Sequence, residues 1–225
     1  MEFKAADSLA EQIAGDLAGR IIRGQLKAGE RIRELHVAQE LNVSRGAVRE
    51  ALLILERQHL VDIQVNRGAQ VSALSAEHVK GLFVLLLELY VILANASVTW
   101  KGESDLESYR AIQRELAVAA KFHDVGSFVA QGVELSKAGY VFANNPYLQQ
   151  ILDNLTPVVS RMHYLILDRR REEMQFIHQL FRSLQDALEA RDRIRLRELL
   201  QRYCEHSCKQ VLAAVASQCG DKACV

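Results

Sequence analysis

The stretch from Arg31 to Val71 constrains the fold more than any other part of the sequence. Between Glu34 and Leu55, apolar residues recur at the three- and four-residue spacing of α-helices, and Asn42-Val43 interrupts the pattern. From Val61 onward they alternate with polar residues, as in β-strands, until Asn66-Arg67-Gly68 interrupts the alternation. This order predicts two helices joined by a tight turn and followed by a β-hairpin, which is the layout of a winged helix-turn-helix.

A first helix, predicted from about Ser8 to Arg23, precedes this motif. Its apolar residues form one stripe, which we expect to be buried: Leu9, Ile13, Leu17 and Ile21. The second helix is predicted from about Glu34 to Leu41. The hairpin strands are expected to turn alternate residues inward, namely Val61, Ile63, Val65, Ala69, Val71 and Ala73. Residues 1–74 are therefore predicted to form one domain.

The helix that follows the turn has an apolar and a basic face. Ser44 is suited to cap its first turn by accepting a hydrogen bond from a free N–H. The apolar face comprises Val48, Ala51, Leu52 and Leu55. Arg45 and Arg49 lie one turn apart on the opposite face, near the helix N-terminus, which also attracts anions. Their planar forks fit a phosphate or a guanine, and the small Gly46 lets the backbone approach a groove.

The positions of these arginines, rather than the overall charge, favour DNA binding. The formal net charge of the chain is +0, and residues 1–74 carry equal numbers of acidic and basic side chains. A single arginine is most often a solvated surface charge. Here Arg45 and Arg49 share a helix N-terminus, and Arg67 at the hairpin tip can reach a minor groove or a phosphate. Together they predict contact with double-stranded DNA.

Residues 75–225 are predicted to form a second, all-helical domain. The chain has only two prolines, and aliphatic residues recur at helical spacing after Ser75. The most apolar segment, Leu82–Ala94, contains Glu88 and is too short to span a bilayer, so we expect a buried helix and no membrane. No signal peptide is recognisable, and the four cysteines lie near the end of the chain, which favours the cytoplasm.

The segment from Leu26 to Val71 resembles the GntR family of bacterial transcriptional regulators. The residues that carry the resemblance are Gly29, Glu34, Val43-Ser-Arg, Val48-Arg-Glu-Ala-Leu and the wing pair Arg67-Gly68. Ala28 replaces a usual proline, and Leu35 stands where some members have a DNA-contacting arginine, for which Arg31 or Arg33 would substitute. The resemblance implies operator contacts by Ser44, Arg45 and Arg49. The full set of predicted DNA-binding residues also includes Arg33, Gly46, Arg67 and Gly68.

From Ser75 onward the chain resembles, more weakly, the helical FCD-type effector domain of the FadR branch of that family. The landmarks are Leu74-Ser-Ala-Glu-His-Val79, Asn144-Asn-Pro-Tyr-Leu148 and Asp186–Asp192. Many members hold a divalent metal with one Asp and three His, and bind a small carboxylate there. By resemblance the four ligand positions fall on Gly132, Ser136, Phe181 and Tyr203, none a good ligand for zinc or nickel. We therefore expect a degenerate site with no metal and no cofactor.

Two hypotheses remain for the interior of this domain. The family's carboxylate-binding arginine falls on Leu86 and its acidic neighbour on Tyr90, so a cavity there would take an apolar or mixed small-molecule effector. The pocket would be lined by Leu86, Tyr90, Ser136, Tyr140, Phe181 and Tyr203. Alternatively, these side chains fill the interior as core residues and bind nothing.

Histidines and cysteines leave two further alternatives open. A shifted metal site could use His178 and His206, together with His163, but the sequence offers no evident acidic partner. Cys204 and Cys208 lie one turn apart on a predicted helix. They fit either buried apolar thiols or a redox or metal-binding pair.

The sequence thus predicts a mostly α protein that regulates transcription and is not an enzyme. It has no recognisable nucleophile–base pair and no phosphate-binding loop. We expect a repressor that binds a palindromic operator as a homodimer, because one recognition helix reads too few base pairs. Dimer contacts would come from Leu82–Ala94, and a small-molecule effector would shift the population of DNA-competent states. Alternatively, the helical domain only dimerises or binds a protein partner, with no small-molecule ligand.

Overall fold

The computed structural model describes residues 8–64 and 68–220, with side chains described as far as residue 217. The chain divides into two compact units. The first contains the residues up to Leu74 together with Asp153–Arg161. The second contains Ser75–Leu152 and the residues from Met162 onward. The predicted fold class, mostly helical with a small sheet in the N-terminal part, is confirmed.

The first unit has the predicted helices and hairpin strands in the predicted order, with the short strand β1 in addition. These are α1 (Leu9–Ile22), β1 (Arg31–Ile32), α2 (Glu34–Glu40), α3 (Arg45–Arg57), β2 (Val61–Gln64) and β3 (Gly68–Val71). At the start of α1, the Ser8 hydroxyl accepts from the Glu11 N–H at 3.2 Å, and the Glu11 carboxylate accepts from the Ser8 N–H at 2.6 Å. Contrary to the prediction, Leu9 is 49% exposed, because the first residue of a helix has no preceding turn to pack over.

The wing is a three-stranded antiparallel sheet in the order β1-β3-β2 rather than a simple hairpin. Val61 pairs with Val71, and both are buried. The predicted inward alternation was wrong at Ile63, which lies on the edge strand β2 and is 36% exposed. It was also wrong at Ala73, which follows the end of β3 and is exposed. Val65 lies outside the described residues.

The second unit is a helical bundle. Its elements are α4 (Ala76–Ser97), α5 (Glu103–Phe122), α6 (Val125–Lys137), α7 (Tyr140–Ala143), the two ends of α8 (Pro146–Leu167), α9 (Glu173–Glu189) and α10 (Arg193–Gly220). Ser75 caps α4 by accepting from the His78 N–H at 3.2 Å, and the Asn145 side chain caps α8. α4 packs against α10 and α7, while α5 packs against α6 and α9.

Helix α4 is longer than the apolar segment that predicted it. It has 22 residues. Among the described residues, it is the one helix whose length and composition would allow it to cross a membrane. The prediction considered only Leu82–Ala94, and the helix that contains this segment is longer, Ala76–Ser97. One side of α4, including Phe83 and Leu86, is buried within the protein, as in the core helix of a globular protein. The residues Val84, Leu85 and Ile92, which we call the exposed face of α4, are 48–70% exposed.

Candidate nucleic-acid interface

Helix α3 separates its apolar and basic residues onto opposite faces. The apolar residues Val48, Ala51, Leu52 and Leu55 are at most 2% exposed. They face a core to which α1 and α2 also contribute. At the start of the helix, the Ser44 hydroxyl accepts from the Ala47 N–H at 3.2 Å, which is the predicted cap. Asn42 makes the tight turn before it with a φ of 53°, a left-handed conformation that asparagine tolerates.

Arg45 and Arg49 project from the solvent side of α3, and their side chains are 62% and 65% exposed. Both meet Glu34, the first residue of α2. The Glu34 carboxylate accepts from Nε and Nη2 of Arg49 at 3.2 and 3.0 Å, and Nη2 of Arg45 lies 3.6 Å from it. The hydrogen bond from Arg49 lowers the pKa of Glu34 below its ordinary 4.5, and the same bond raises the pKa of Arg49. One carboxylate thus holds both arginines at the helix N-terminus.

The remaining predicted DNA-contact residues lie on the same unit. Arg33 immediately precedes α2 and is exposed. Gly46 is exposed too, and a Cβ added there would meet only the Ser44 hydroxyl at 3.8 Å, so packing does not require a glycine. Gly68 begins β3 with a φ of 79°, a conformation that favours glycine. Arg67 lies outside the described residues.

In the second unit, aromatic side chains from four helices contact one another. The Tyr203 ring of α10 lies 5.3 Å from the Phe181 ring of α9 and 6.5 Å from the Tyr90 ring of α4, between centroids. The His163 ring of α8 stacks on Tyr203, and its Nε2 lies 2.9 Å from the Tyr203 hydroxyl. We call Tyr90, His163, Phe181 and Tyr203 the aromatic cluster. Tilted and stacked rings at these separations attract one another.

One further residue assigned to the predicted effector pocket, Ser136, meets this cluster. The Ser136 side chain of α6 is hydrogen-bonded to Tyr90. Burial raises the pKa of Tyr90 and of Tyr203, so both phenols are neutral. Leu86 is buried on α4, whereas Tyr140 lies on the separate short helix α7. The structure therefore brings Tyr90, Ser136, Phe181 and Tyr203 together as a neutral set of rings and hydroxyls.

The first unit also contains a buried arginine that sequence reasoning missed. Arg161, which is 7% exposed, donates from Nη1 to the Ser72 carbonyl at 2.9 Å and lies 3.3 Å from the Ser72 hydroxyl. That hydroxyl donates to the His59 carbonyl at 2.8 Å. Burial lowers the pKa of Arg161, while the charge of Asp62 opposes the shift. A lone arginine in the apolar run Val158–Met162 was the available signal.

Two families match successive parts of the chain. Residues 9–71 match the family described as bacterial regulatory proteins, gntR family, and residues 82–206 match the FCD domain, which alone covers more than half of the chain. The chain belongs to the GntR family. It is a DNA-binding transcriptional regulator with an FCD domain, consistent with the FadR branch. Neither match is to a catalytic family.

Relatives of this GntR-family chain are themselves transcriptional regulators. It is 27% identical over 166 residues to the gluconate operon transcriptional repressor of Bacillus subtilis (strain 168), covering 74% of this chain and 68% of that protein. It is 30% identical over 139 residues to the Exu regulon transcriptional regulator of Escherichia coli (strain K12), covering 55% of this chain and 54% of that protein. E. coli McbR/YncC has the same fold, with a TM-score of 0.77 at 21% identity over 95% of this chain and 99% of that one.

The four positions predicted to replace metal ligands, Gly132, Ser136, Phe181 and Tyr203, lie on α6, α9 and α10 of this GntR-family chain. Among residues 8–64 and 68–217, no group of three or more His, Cys, Asp or Glu side chains could hold a metal ion. The histidines considered for a shifted site have different partners. His206 Nε2 lies 2.6 Å from a Glu173 carboxylate oxygen, whereas His163 meets Tyr203. Glu173 is 8% exposed, and the sequence did not reveal it as a partner of His206.

Cys204 and Cys208 are free thiols on α10. Burial raises the pKa of Cys204 to about 12, and burial also raises the pKa of Cys208. Protonated thiols are weak nucleophiles and poor metal ligands. Cys204 is buried and Cys208 is partly exposed, so the buried apolar reading fits Cys204.

Proposed function

We propose that this regulator is a repressor that binds a palindromic operator as a homodimer, uses no metal, and responds to a small molecule in its helical unit. The observation that carries the DNA part is the solvent-facing N-terminus of α3, where Arg45 and Arg49 project opposite the buried face. Guanidinium forks there match the O6 and N7 acceptors of guanine. The name of the B. subtilis relative, a gluconate operon repressor, supports repression.

The proposed DNA contacts divide into base and backbone contacts. Arg45 and Arg49 reach base edges, and Gly46 between them leaves room for the groove wall. Ser44 still has a hydroxyl proton to donate to a phosphate, because its oxygen is the acceptor in the helix cap. Flanking contacts to the sugar-phosphate backbone and minor groove are assigned to Arg33, Arg67 and Gly68.

The proposed dimer interface is the exposed face of α4. An apolar helix side of this kind is unfavourable in water, and covering it stabilises an association. A surface groove of about 400 Å³ lies beside it, between α4 and α10. At this border Arg197 donates to both carboxylate oxygens of Glu88, at 2.7 and 3.2 Å. In a dimer, a second copy would cover the apolar residues, and such charged groups would form a polar rim.

The proposed effector site is the aromatic cluster with Leu86, Ser136 and Tyr140. Aromatic walls with a few hydroxyl groups suit an apolar or mixed ligand. The contacts also favour a second candidate, in which no ligand binds. Tyr203 already meets His163, and Tyr90 already meets Ser136, so the cluster is able to serve as core. The helical unit would then only dimerise or bind a protein partner.

DNA binding and dimerisation are tested by selecting duplexes from a random pool with the full-length protein. We expect a two-fold symmetric consensus sequence, and light scattering should show one dimer per site. Val84→Glu should give monomers that bind a full palindrome no better than a half-site, because it places a charge on the exposed face of α4. Failure to enrich any sequence would overturn the proposal.

The effector is tested by thermal shift against a panel of neutral aromatic and aliphatic compounds. A compound that raises Tm and also changes operator affinity supports an effector, and Phe181→Leu should weaken its effect. A panel that leaves both quantities unchanged favours the ligand-free candidate. Metal analysis of the purified protein should find no stoichiometric transition metal, and one tightly held ion per chain would contradict the metal-free proposal.

A further inference from the structure

Glu34 is the acidic residue on which the two recognition arginines converge. Its carboxylate accepts from Nε and Nη2 of Arg49, and it lies 3.6 Å from Nη2 of Arg45. The Glu34 side chain is 25% exposed, whereas the arginine side chains are more than 60% exposed. The carboxylate is therefore the less accessible partner of both pairs.

The geometry leaves one edge of Arg49 free to read DNA. A guanidinium has five N–H donors, and Glu34 takes the side-on pair formed by Nε and one proton of Nη2. The end-on fork, made by Nη1 and the second proton of Nη2, points away from the carboxylate. That fork offers two parallel N–H donors, which can meet O6 and N7 of guanine. The ion pair thus fixes the plane of the guanidinium without occupying the donors that base recognition needs.

The charge of Glu34 acts differently on phosphates and on bases. A phosphate is attracted by the full positive charge of an arginine, and a neighbouring carboxylate repels it. A guanine edge carries no net charge and is recognised by the direction of its acceptors. A carboxylate at this place therefore weakens phosphate binding more than it weakens base reading.

We propose that Glu34 is a specificity-determining residue. It positions Arg49 for a base edge and lowers the affinity of Arg45 and Arg49 for the phosphates of unrelated DNA. This inference rests on the proposed function, since it needs a recognition helix that reads an operator. Exposed ion pairs contribute little to folding stability, so a purely stabilising role does not account for two arginines on one carboxylate.

The test compares Glu34→Gln with Glu40→Gln in the full-length protein. Glu40 ends the same helix and pairs with Arg20 of α1, so both variants lose one negative charge from α2. Fluorescence anisotropy measures binding to the selected operator and to a scrambled duplex of equal length, from low to moderate salt. Thermal melting of both variants checks that they fold.

We expect Glu34→Gln to bind the scrambled duplex about three- to tenfold more tightly at low salt, with a log–log salt slope steeper by about one, as one added phosphate contact requires. The ratio of operator to scrambled affinity should fall about tenfold or more. Glu40→Gln should leave that ratio within about twofold, because it keeps the Arg49 pair.

The outcomes separate this inference from the proposed function. If the wild-type protein does not distinguish the operator from scrambled DNA, the proposed function fails. If it does, and Glu34→Gln keeps the wild-type ratio or weakens both affinities equally, the inference is overturned. An Arg49→Ala background provides a second check, because Glu34→Gln should there lose most of its effect. An undiminished effect would show that Glu34 acts through charge alone, without positioning Arg49.

Discussion

The two units place their functional candidates in opposite environments. At the N-terminus of α3, Arg45 and Arg49 lie in solvent, and the core beneath them is made by other residues. In the aromatic cluster, Phe181 and Tyr203 are themselves buried. Recognition in the first unit is therefore separable from stability, whereas any recognition in the second unit is coupled to it. Substitutions at the two places should reveal this difference, and the effects below run from the largest to the smallest.

The largest effect should come from Tyr203→Ala, which leaves a space between Phe181, Tyr90 and His163. We expect the free energy of unfolding to fall by about 3–5 kcal/mol, as for large-to-small substitutions in other cores. Urea denaturation measures the change. Tyr203→Phe is the matched control, because it keeps the ring and removes the hydroxyl that meets His163, at about 1 kcal/mol. A loss below that value for Tyr203→Ala would show that the cluster is not core.

Arg49→Ala should separate DNA binding from stability. It should weaken operator binding about ten- to a hundredfold if the guanidinium reads a base, and leave the thermal melting temperature nearly unchanged. Arg57→Ala removes the same charge from the other end of α3 and is the control. Equal losses of affinity in both variants would mean that operator binding depends only on the total charge of the protein. A large drop in Tm for Arg49→Ala would show that recognition and stability are coupled in the first unit as well.

Arg161→Met tests a buried polar contact within the first unit. The variant loses the hydrogen bond to the Ser72 carbonyl but also removes a buried charge, so the free energy of unfolding should fall by only about 1–2 kcal/mol. Chemical denaturation measures the change, and Arg169→Met, at an exposed position after α8, is the control. A more stable variant would show that desolvation of the guanidinium outweighs its hydrogen bonds.

The smallest effect concerns the titration of Glu34. Its pKa is lowered in the folded protein, so the stabilisation from its arginine pair is present above the ordinary value of 4.5 and is lost as the pH falls through the lower folded pKa. Between pH 7 and 5 the pair should therefore not change. Carboxyl chemical shifts measured by NMR should give a pKa below 4.5 in the wild type, rising toward that value in Arg49→Ala. An identical pKa in both proteins would contradict the pairing.

Features that depend on neighbouring residues could be predicted from the sequence. The Ser44 cap, the buried face of α3 and the left-handed Gly68 follow from local rules, because each depends on a few residues in one element. The helical domain was predicted to begin at Ser75, and Ser75 caps α4. The end of α4 was less evident, because its apolar run ends at Ala94 whereas the helix continues to Ser97.

Contacts between distant residues could not be predicted in this way. Glu34 meets Arg49 only because the turn at Asn42 sets the angle between α2 and α3. Glu173 and His206 are 33 residues apart, and β1 has only two residues, too few for a strand pattern. In the aromatic cluster, the resemblance located Phe181 and Tyr203, but their contacts with His163 depend on how helices pack. Such pairings require the fold.

The contact between Arg161 and Ser72 has a consequence for how easily this part of the first unit can open. When water enters a purely apolar contact, the packing is lost and no hydrogen bonds to water replace it. Here, water entering the contact would solvate a guanidinium that donates to the Ser72 carbonyl and lies beside the Ser72 hydroxyl. Hydration would offset much of the lost bonding, so this contact joins Ser72 to helix α8 with only a small net gain in free energy.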